Sequence, residues 1–439
     1  MPDAARSTEI SLVRRDGKIR TPERLRLDEV ASLLAPEANV VIGHGGGWPK
    51  ALVESLVAGA KTPFQIVHNR IDDSLPYFSK EAGDKVRHRG FMSGHNTRLA
   101  IHEGRADFVP NNYGRTPAII RDSNPPFDLA VIHVTPPDDD GWCSLGTCVA
   151  YLPAGVETAS TVVAQINPQM PRTLGTRIHI SAIDYFVDVD APLQHVTLAN
   201  PDAATLQIAD HVAGIVRDGD VLQLGIGKLG DAILAALSGK SNLRLWTETF
   251  SDSAMALLRD GTLQAGPSNE APITATFVTG SEALYRALDG CTSVSMRPVD
   301  ETNDPSLLKG ISQFVAVNSA IEIDLTGQIN AESVNGQLYS GPGGHLDFAI
   351  GANYAADGKY ICAIPTTARG KSRIVPQLGR GAVVTVPRSL ADIVVTEYGI
   401  ARLRGRTLRE RAEALIEIAH PDHQAALRAD SDELQGSLK

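Results

Sequence analysis

Two stretches carry residue types that could do chemistry. In Leu243-Arg-Leu-Trp-Thr-Glu248-Thr-Phe-Ser-Asp252, Leu243, Leu245 and Thr247 alternate with Arg244, Trp246 and Glu248, the period of a strand. Ser251, Asp252 and Ser253 then offer helix caps before Met255, Leu257 and Leu258, and Gly261 can close that helix. Glu248 is therefore expected at the C-terminal edge of a strand, where open α/β sheets bind ligands. A strand-end glutamate is most often a solvated charge; the chemical alternatives are a general base or a nucleophile. In water a carboxylate attacks poorly. Desolvated against a reactive acyl group, with N–H donors near the developing oxyanion, it becomes useful.

Upstream, Val221-Leu-Gln-Leu-Gly225-Ile-Gly227-Lys-Leu-Gly230 is a second apolar strand running into a glycine turn. Gly-x-Gly is neither a P-loop nor a full dinucleotide fingerprint, and a tight turn without a ligand explains it equally well. Its chemical use would be close approach of backbone to a ligand, with the free N–H groups of a helix start facing an anion or a thioester oxygen. A carboxylate and a glycine turn at neighbouring strand ends make a candidate site for an anionic, phosphate-bearing substrate.

The remaining polar groups say less. Arg369-Gly-Lys371-Ser-Arg373 and Arg402-Leu-Arg404-Gly-Arg406 are basic clusters that suit either phosphate binding or surface ion pairing. His44, His95, His133 and His345 have no Gly-x-Ser-x-Gly elbow nearby, and His-Glu-x-x-His is absent from the sequence, so they read as satisfied loop or core histidines. Cys143 and Cys148 lack a second pair at finger-like spacing and read as small buried apolar residues, so no metal site is expected.

The elements that must position Glu248 follow an α/β pattern. Residues 1–21 read as a poorly anchored arm. Asn39-Val-Val-Ile-Gly43-His-Gly45-Gly46-Gly47-Trp-Pro49 is a strand entering a glycine turn, with a helix from Pro49 to Gly59. Buried strands are expected at Phe64-Gln-Ile-Val-His, Asp128-Leu-Ala-Val-Ile-His-Val, Val162-Val-Ala-Gln-Ile and Ile178-His-Ile-Ser. The pattern weakens around Asp188-Val-Asp-Ala-Pro192. Two open α/β domains are therefore expected, at 1–195 and 196–439. The second restarts with the same strand, glycine turn and helix at Val221 to Gly239, which suggests duplication. Later strands are expected at Ile273 to Val278, Phe314 to Val317, Tyr360 to Pro365, Ala382 to Val386 and Ile393 to Thr396, with Ser340-Gly341-Pro-Gly343-Gly344-His345 as another glycine loop.

Composition bounds the partners. The 439 residues carry a net charge of -10, which disfavours a nucleic-acid binder or a polybasic membrane-surface protein. With 43% hydrophobic residues the chain can bury a sizeable core, yet it holds no run long enough to span a membrane. The charged N-terminus does not read as a signal peptide, so the expected location is the cytoplasm.

In this order the motifs resemble the acetyl-CoA hydrolase/transferase family, with the 4-hydroxybutyrate CoA-transferases the nearest branch. The resemblance covers most of the chain. It rests on Thr135-Pro-Pro-Asp, Gly141-Trp-Cys-Ser-Leu-Gly146, Met170-Pro-Arg-Thr-Leu-Gly175, Gln223-Leu-Gly-Ile-Gly227, Thr247-Glu248, Phe250-Ser-Asp252, Gly343-Gly344-x-x-Asp347-Phe348, Gly351-Ala352, Val394-Val-Thr-Glu-Tyr-Gly-Ile-Ala, Leu403-Arg-Gly and Ile418-Ala-His-Pro421. It implies two α/β domains of the CoA-transferase type. Glu248 would be the nucleophile, forming an acyl–glutamyl anhydride and then a glutamyl-CoA thioester in a ping-pong sequence. Gly225, Ile226, Gly227, Lys228 and Leu229 would bind CoA, with Gly344 at the thioester, Gly341 and Gly343 shaping that loop, and Lys371 near CoA phosphates or pantetheine. Asn303 matches, more loosely, an asparagine beside the glutamate. Acyl-CoA and a small carboxylate are the implied partners in a homo-oligomer, a dimer first of all, with no permanently bound cofactor. The alternatives are acyl-CoA hydrolysis and acyl transfer to a non-carboxylate acceptor. The chain departs from the pattern at His345 (usually Gln), Trp246 (often His), Gly230 (commonly Pro) and Thr249 (frequently Met). His345 and Trp246 are thus expected to reshape the acyl or acceptor pocket.

Overall fold

The computed structural model describes residues 10–12, 14, 17, 20–78, 85–196, 200–225, 227–264 and 273–437. The chain forms two compact units: Met1–Thr197 with Ala265–Thr302, and Leu198–Gln264 with Asn303–Lys439.

The first unit is built on an eight-stranded sheet in the order Glu23–Arg24, Tyr185–Asp188, Thr161–Ile166, Leu129–Val134, Asn39–Ile42, Phe64–His68, Val86–Gly90, Ala106–Phe108. All neighbours are parallel. Leu129–Val134 and Asn39–Ile42 are buried on both faces, which is why they read as unbroken apolar runs. Val40, Ile42, Leu52, Leu56, Ile66, Val131 and Val163 share one core. A second sheet pairs Ile10–Leu12, Leu174–His179, Val294–Met296 and Ile273–Ala275 in parallel, with Trp142–Ser144 antiparallel to Leu174–His179. The segment 273–296 pairs within this sheet, so residues 265–302 cluster with the first unit, whereas the sequence reading kept 196–439 continuous. The expected loose N-terminal arm is anchored where it is described. Ile10–Leu12 lies in the sheet, and Arg14 is buried, bonded to Asp184 at 2.7 Å and to the carbonyls of Ala159 and Ser160 at 2.8 Å.

The second unit has a sheet in the order Arg244–Trp246, Val221–Leu224, Phe314–Ser319, Lys359–Ala363, Ile393–Thr396, all parallel, edged by antiparallel Gly399–Arg402. From Val221–Leu224 the chain adds Arg244–Trp246 on one side and then its later strands on the other. The order therefore reverses between Val221–Leu224 and Phe314–Ser319, and the crevice beyond the carboxyl ends there is the natural ligand site. Phe314, Ala316, Phe348, Ala352, Tyr360, Cys362, Val394 and Leu415 form the core beneath it. Each unit contains a strand, glycine turn and helix in succession: Asn39–Ile42, Gly45–Gly47 and Lys50–Gly59; Val221–Leu224, Gly225 to Gly227 and Lys228–Ala236. The expected strand at 382–386 does not form. Val383 and Val384 remain about two-fifths exposed, at 41% and 42%, and only an isolated bridge joins Val386 to Ile329.

Candidate active site

Alternation along the 243–248 stretch is reproduced in burial: Leu243, Leu245 and Thr247 are buried, and Arg244, Trp246 and Glu248 keep partial exposure. Glu248 stands just past the strand Arg244–Trp246. Its predecessor locks it in place. The Thr247 hydroxyl donates to the Leu224 carbonyl at 3.2 Å and accepts from the Leu224 N–H at 3.4 Å. Glu248 and Gly225 flank this clasp, at the ends of adjacent strands.

Two further segments converge on the carboxylate. Asn303 is fully buried, and its Nδ2 donates to Glu248 Oε1 at 2.6 Å. Its neighbour Asp304 caps the short helix Pro305–Leu308, accepting from the Ser306 N–H at 2.7 Å, which fixes the backbone beside Asn303. Gly344 precedes the helix His345–Tyr354. A Cβ there would run into Glu248 Oε1 and the Asn303 amide and lie 2.9 Å from the Phe348 ring. Its φ of -91° is ordinary, so the crowding, not the backbone, is what favours glycine. Gly343, at φ +53°, makes the left-handed turn before it. Further along the helix, Gly351 lies against the Leu308 side chain, bringing the helix close to the segment that carries Asn303.

The electrostatics suit a reactive carboxyl. Desolvation pushes Glu248 up to about 7; the Asn303 side-chain bond opposes this, the Asp347 charge adds to it, and the Gly344 N–H opposes it. Glu248 is thus poised to ionise near neutrality, and its carboxylate would be short of solvation but not of directed donors.

At the reversal of strand order lies a shallow, partly open recess lined by Gly225, Leu229, Gly230, Ile233, Val317, Asn318, Ser319 and Ala363. Gly227 has φ +100°, which turns the chain into the helix Lys228–Ala236. Gly230 presses its Cα against the Gly225 carbonyl, and a side chain there would collide with it. Asn318 is held by a reciprocal amide pair with Gln223, at 2.8 and 3.3 Å. Neither of these amides was singled out from sequence; the signal was a polar residue near the end of each buried strand. Of the residues expected to bind CoA, Gly225 and Leu229 line the recess and Gly227 begins its helix, while Ile226 lies outside the described residues. Lys228 is engaged by Asp202 at 2.6 Å.

Other expected site residues fall elsewhere. Gly341 is buried in the loop before Gly344. Lys371 is exposed on the hairpin Thr367–Ala368/Lys371–Ser372, turned by Arg369 and Gly370 at positive φ. Trp246 packs against the apolar core. His345 is buried, its Nε2 2.5 Å from the Tyr360 hydroxyl, and burial lowers it to about 4, so it is neutral. His44 and His133 are buried and bonded, to the Tyr113 hydroxyl at 2.6 Å and to the Trp48 carbonyl at 3.3 Å. Cys143 and Cys148 are buried thiols pushed up to about 12. Among the described residues no cluster of three or more His, Cys, Asp or Glu could hold a metal ion, and no helix is long and apolar enough to cross a membrane.

A desolvated glutamate and glycine turns at the carboxyl edge of a parallel α/β sheet are an arrangement suited to acyl or anionic substrates. Residues 17–196 match the acetyl-CoA hydrolase/transferase N-terminal domain, and residues 280–431 match the C-terminal domain. The chain is 38% identical to a 4-hydroxybutyrate coenzyme A transferase of Clostridium kluyveri, over 91% of this chain and 95% of that one. It is also 38% identical to a succinyl-CoA:acetate/propanoyl-CoA:succinate CoA transferase of Fasciola hepatica, over 91% and 86%. The structure superposes on that of a 4-hydroxybutyrate CoA-transferase from Porphyromonas gingivalis with a TM-score of 0.77 and 32% identity, covering 94% and 97% of the two chains. The chain belongs to the acetyl-CoA hydrolase/transferase family, and it is an enzyme of the CoA-transferase kind.

Proposed function

We propose that this enzyme moves CoA between a short acyl-CoA, such as acetyl-CoA, and a small carboxylate, with 4-hydroxybutyrate and acetate the first acceptors to try. The observation that carries this reading is the convergence of Asn303 and Gly344 on a desolvated Glu248. The ionised carboxylate attacks the thioester carbonyl, the C–S bond breaks, and an acyl–glutamyl anhydride and CoA thiolate result. The thiolate then attacks the glutamyl carbonyl, giving the glutamyl-CoA thioester and releasing the first acid as its carboxylate. An acceptor carboxylate enters by the reverse steps. No net proton or electron is exchanged, and each half-reaction ends before the next begins, so ping-pong kinetics are expected.

In the second attack the negative charge develops on the glutamyl oxygen, which the Asn303 amide and the Gly344 N–H are placed to stabilise. The recess beside Gly225 and Leu229 is the proposed seat of the CoA arm, with helix N–H groups facing it. Lys371, exposed on its hairpin, is available to a CoA phosphate. Trp246 continues the strand face of Glu248 and is proposed to shape the acyl or acceptor pocket. Exchanging it for His should change the acceptor preference, and identical kinetics across a panel of acids would remove it from the pocket.

Mass spectrometry after brief exposure to acetyl-CoA tests the reading. A CoA adduct on Glu248 that a carboxylate discharges into a new acyl-CoA supports transfer. An adduct that water discharges at the same rate, with or without acid, makes the enzyme a hydrolase. Intact acetyl-CoA, with binding confirmed and no adduct, refutes Glu248 as the nucleophile for this donor.

A further inference from the structure

The helix His345–Tyr354 starts without a side-chain cap, because its N-cap residue is Gly344. Its first turn is tied down from within the core instead. The His345 ring meets the hydroxyl of Tyr360, which is wholly buried on the strand Lys359–Ala363. That strand lies between Phe314–Ser319 and Ile393–Thr396, bonded on both edges, and is an unyielding anchor. The Tyr360 N–H also donates to Asp392 Oδ2 at 3.3 Å. Both partners of the His345–Tyr360 bond are uncharged, since burial lowers His345 and raises Tyr360 well above its ordinary value. The bond is therefore directional and carries no buried charge.

One peptide separates His345 from Gly344, and Gly344 has no slack. The Glu248 carboxylate, the Asn303 amide and the Phe348 ring all crowd the place where its side chain would be. A small rotation of the helix start would either drive Gly344 into these groups or take away the Gly344 N–H that helps hold Glu248 down. The Gly351–Leu308 contact fixes the middle of the helix, Phe348 packs its first turn against Phe314, and the His345–Tyr360 pair adds the directional bond at its start.

We propose that His345 and Tyr360 are positioning residues, whose hydrogen bond holds the Gly344 amide on the Glu248 carboxylate. The assignment rests on Glu248 as the reacting carboxylate. It also changes the meaning of the histidine that replaces the family's usual glutamine. His345 acts backwards into the core, and its influence on the reaction passes through Gly344.

The test compares Tyr360→Phe, His345→Phe and His345→Gln with the wild type. Glutamyl-CoA formation is followed in single turnovers across pH, beside KM for the acyl-CoA and the thermal midpoint. Losing the tie weakens a hydrogen bond to the carboxylate, so Y360F and H345F should move the acid limb upward by roughly half to one pH unit. Adduct formation should slow roughly tenfold, with KM changed less than about twofold. His345→Gln, whose amide can still reach the Tyr360 hydroxyl, should return the limb to its wild-type place. An acid limb unmoved in both Y360F and H345F, with a lower thermal midpoint as the sole change, would overturn the proposal. Should Y360F fail to fold, the H345F and H345Q pair decides by the same limb. Failure of the underlying reading shows separately: the wild type would form no adduct, or Glu248→Gln would turn over at full rate.

Discussion

Replacing Glu248 by Gln should abolish turnover and stabilise the protein, and the stabilisation should depend on pH. A carboxyl held at about 7 in the folded chain, against its ordinary 4.5, binds its proton more tightly folded than unfolded. Its contribution to stability is therefore complete below about pH 4.5 and is lost as pH rises through about 7. The cost of ionising it in place is about 3 kcal/mol, an upper figure since the side chain keeps some contact with solvent. Glutamine keeps the shape and the acceptor for Asn303 but cannot ionise, and it removes the repulsion between the Glu248 and Asp347 charges. At pH 5 the variant should melt only slightly above the wild type, by roughly 2–3 °C. At pH 8 the variant should melt roughly 5–10 °C higher, from about 2–4 °C per kcal/mol for a unit of this size. Paired thermal melts at pH 5, 6, 7 and 8 measure this, and other titrating groups cancel in the difference. A difference that stays flat over that range would mean the carboxylate is well solvated, and the case for a primed nucleophile would collapse with it.

Three further substitutions probe the same corner. Gly344→Ala puts a methyl group into Glu248 Oε1 and the Asn303 amide; the expected loss in kcat is on the order of 10²–10³, by steady-state assay, and a loss under twofold would contradict the packing. Asn303→Ala removes the 2.6 Å bond to Glu248. It should raise the acid limb above its wild-type position and lower kcat/KM by roughly 10- to 100-fold, whereas an acid limb moving downward would reverse the assigned sign. Gly230→Ala forces the first turn of the helix Lys228–Ala236 away from the Gly225 carbonyl. Calorimetry should then find CoA bound roughly tenfold more weakly, and an unchanged affinity would move the CoA arm out of the recess.

What sequence could see of this site depended on how local each determinant is. The alternation that buries Leu243, Leu245 and Thr247 and frees Glu248 is a property of consecutive residues, and so it was legible. The same holds for the glycine turn after Val221–Leu224 and for the two-unit α/β pattern. Strand pairing is not local. The Ala382–Val386 run has the composition of a strand, yet it finds no partner beyond one bridge and stays outside the sheets. Ile273–Ala275 and Val294–Met296 follow the Glu248 strand in sequence, but Val294–Met296 pairs with Leu174–His179 in the first unit and Ile273–Ala275 pairs with Val294–Met296. The environment that desolvates Glu248 is less local still. Asn303 and Gly344 arrive from segments 55 residues apart from Glu248 or further, and nothing in either segment's own periodicity announces the meeting. Resemblance pointed to Asn303 and Gly344, but it could not supply the clash that forbids a Cβ at Gly344 or the bond from His345 to Tyr360.

Those last two facts decide how the departures from the family pattern are to be understood. A histidine in place of glutamine beside Gly344 suggests a changed pocket when read along the chain. In the fold, His345 does not line the recess; its ring is buried and bonded to Tyr360. Gly230, in place of the common proline, permits contact with the Gly225 carbonyl that any larger residue would prevent, proline included. Both changes therefore act on where backbone amides sit: His345 on Gly344 at the carboxylate, Gly230 on the helix start at the recess. Of the departures left, Trp246 shares the strand face of Glu248, and differences in acceptor choice should track that residue more closely than His345 or Gly230. Crossing Trp246→His with His345→Gln would separate the effects, since a pocket residue alters the ranking of acids while a positioning residue scales all of them together.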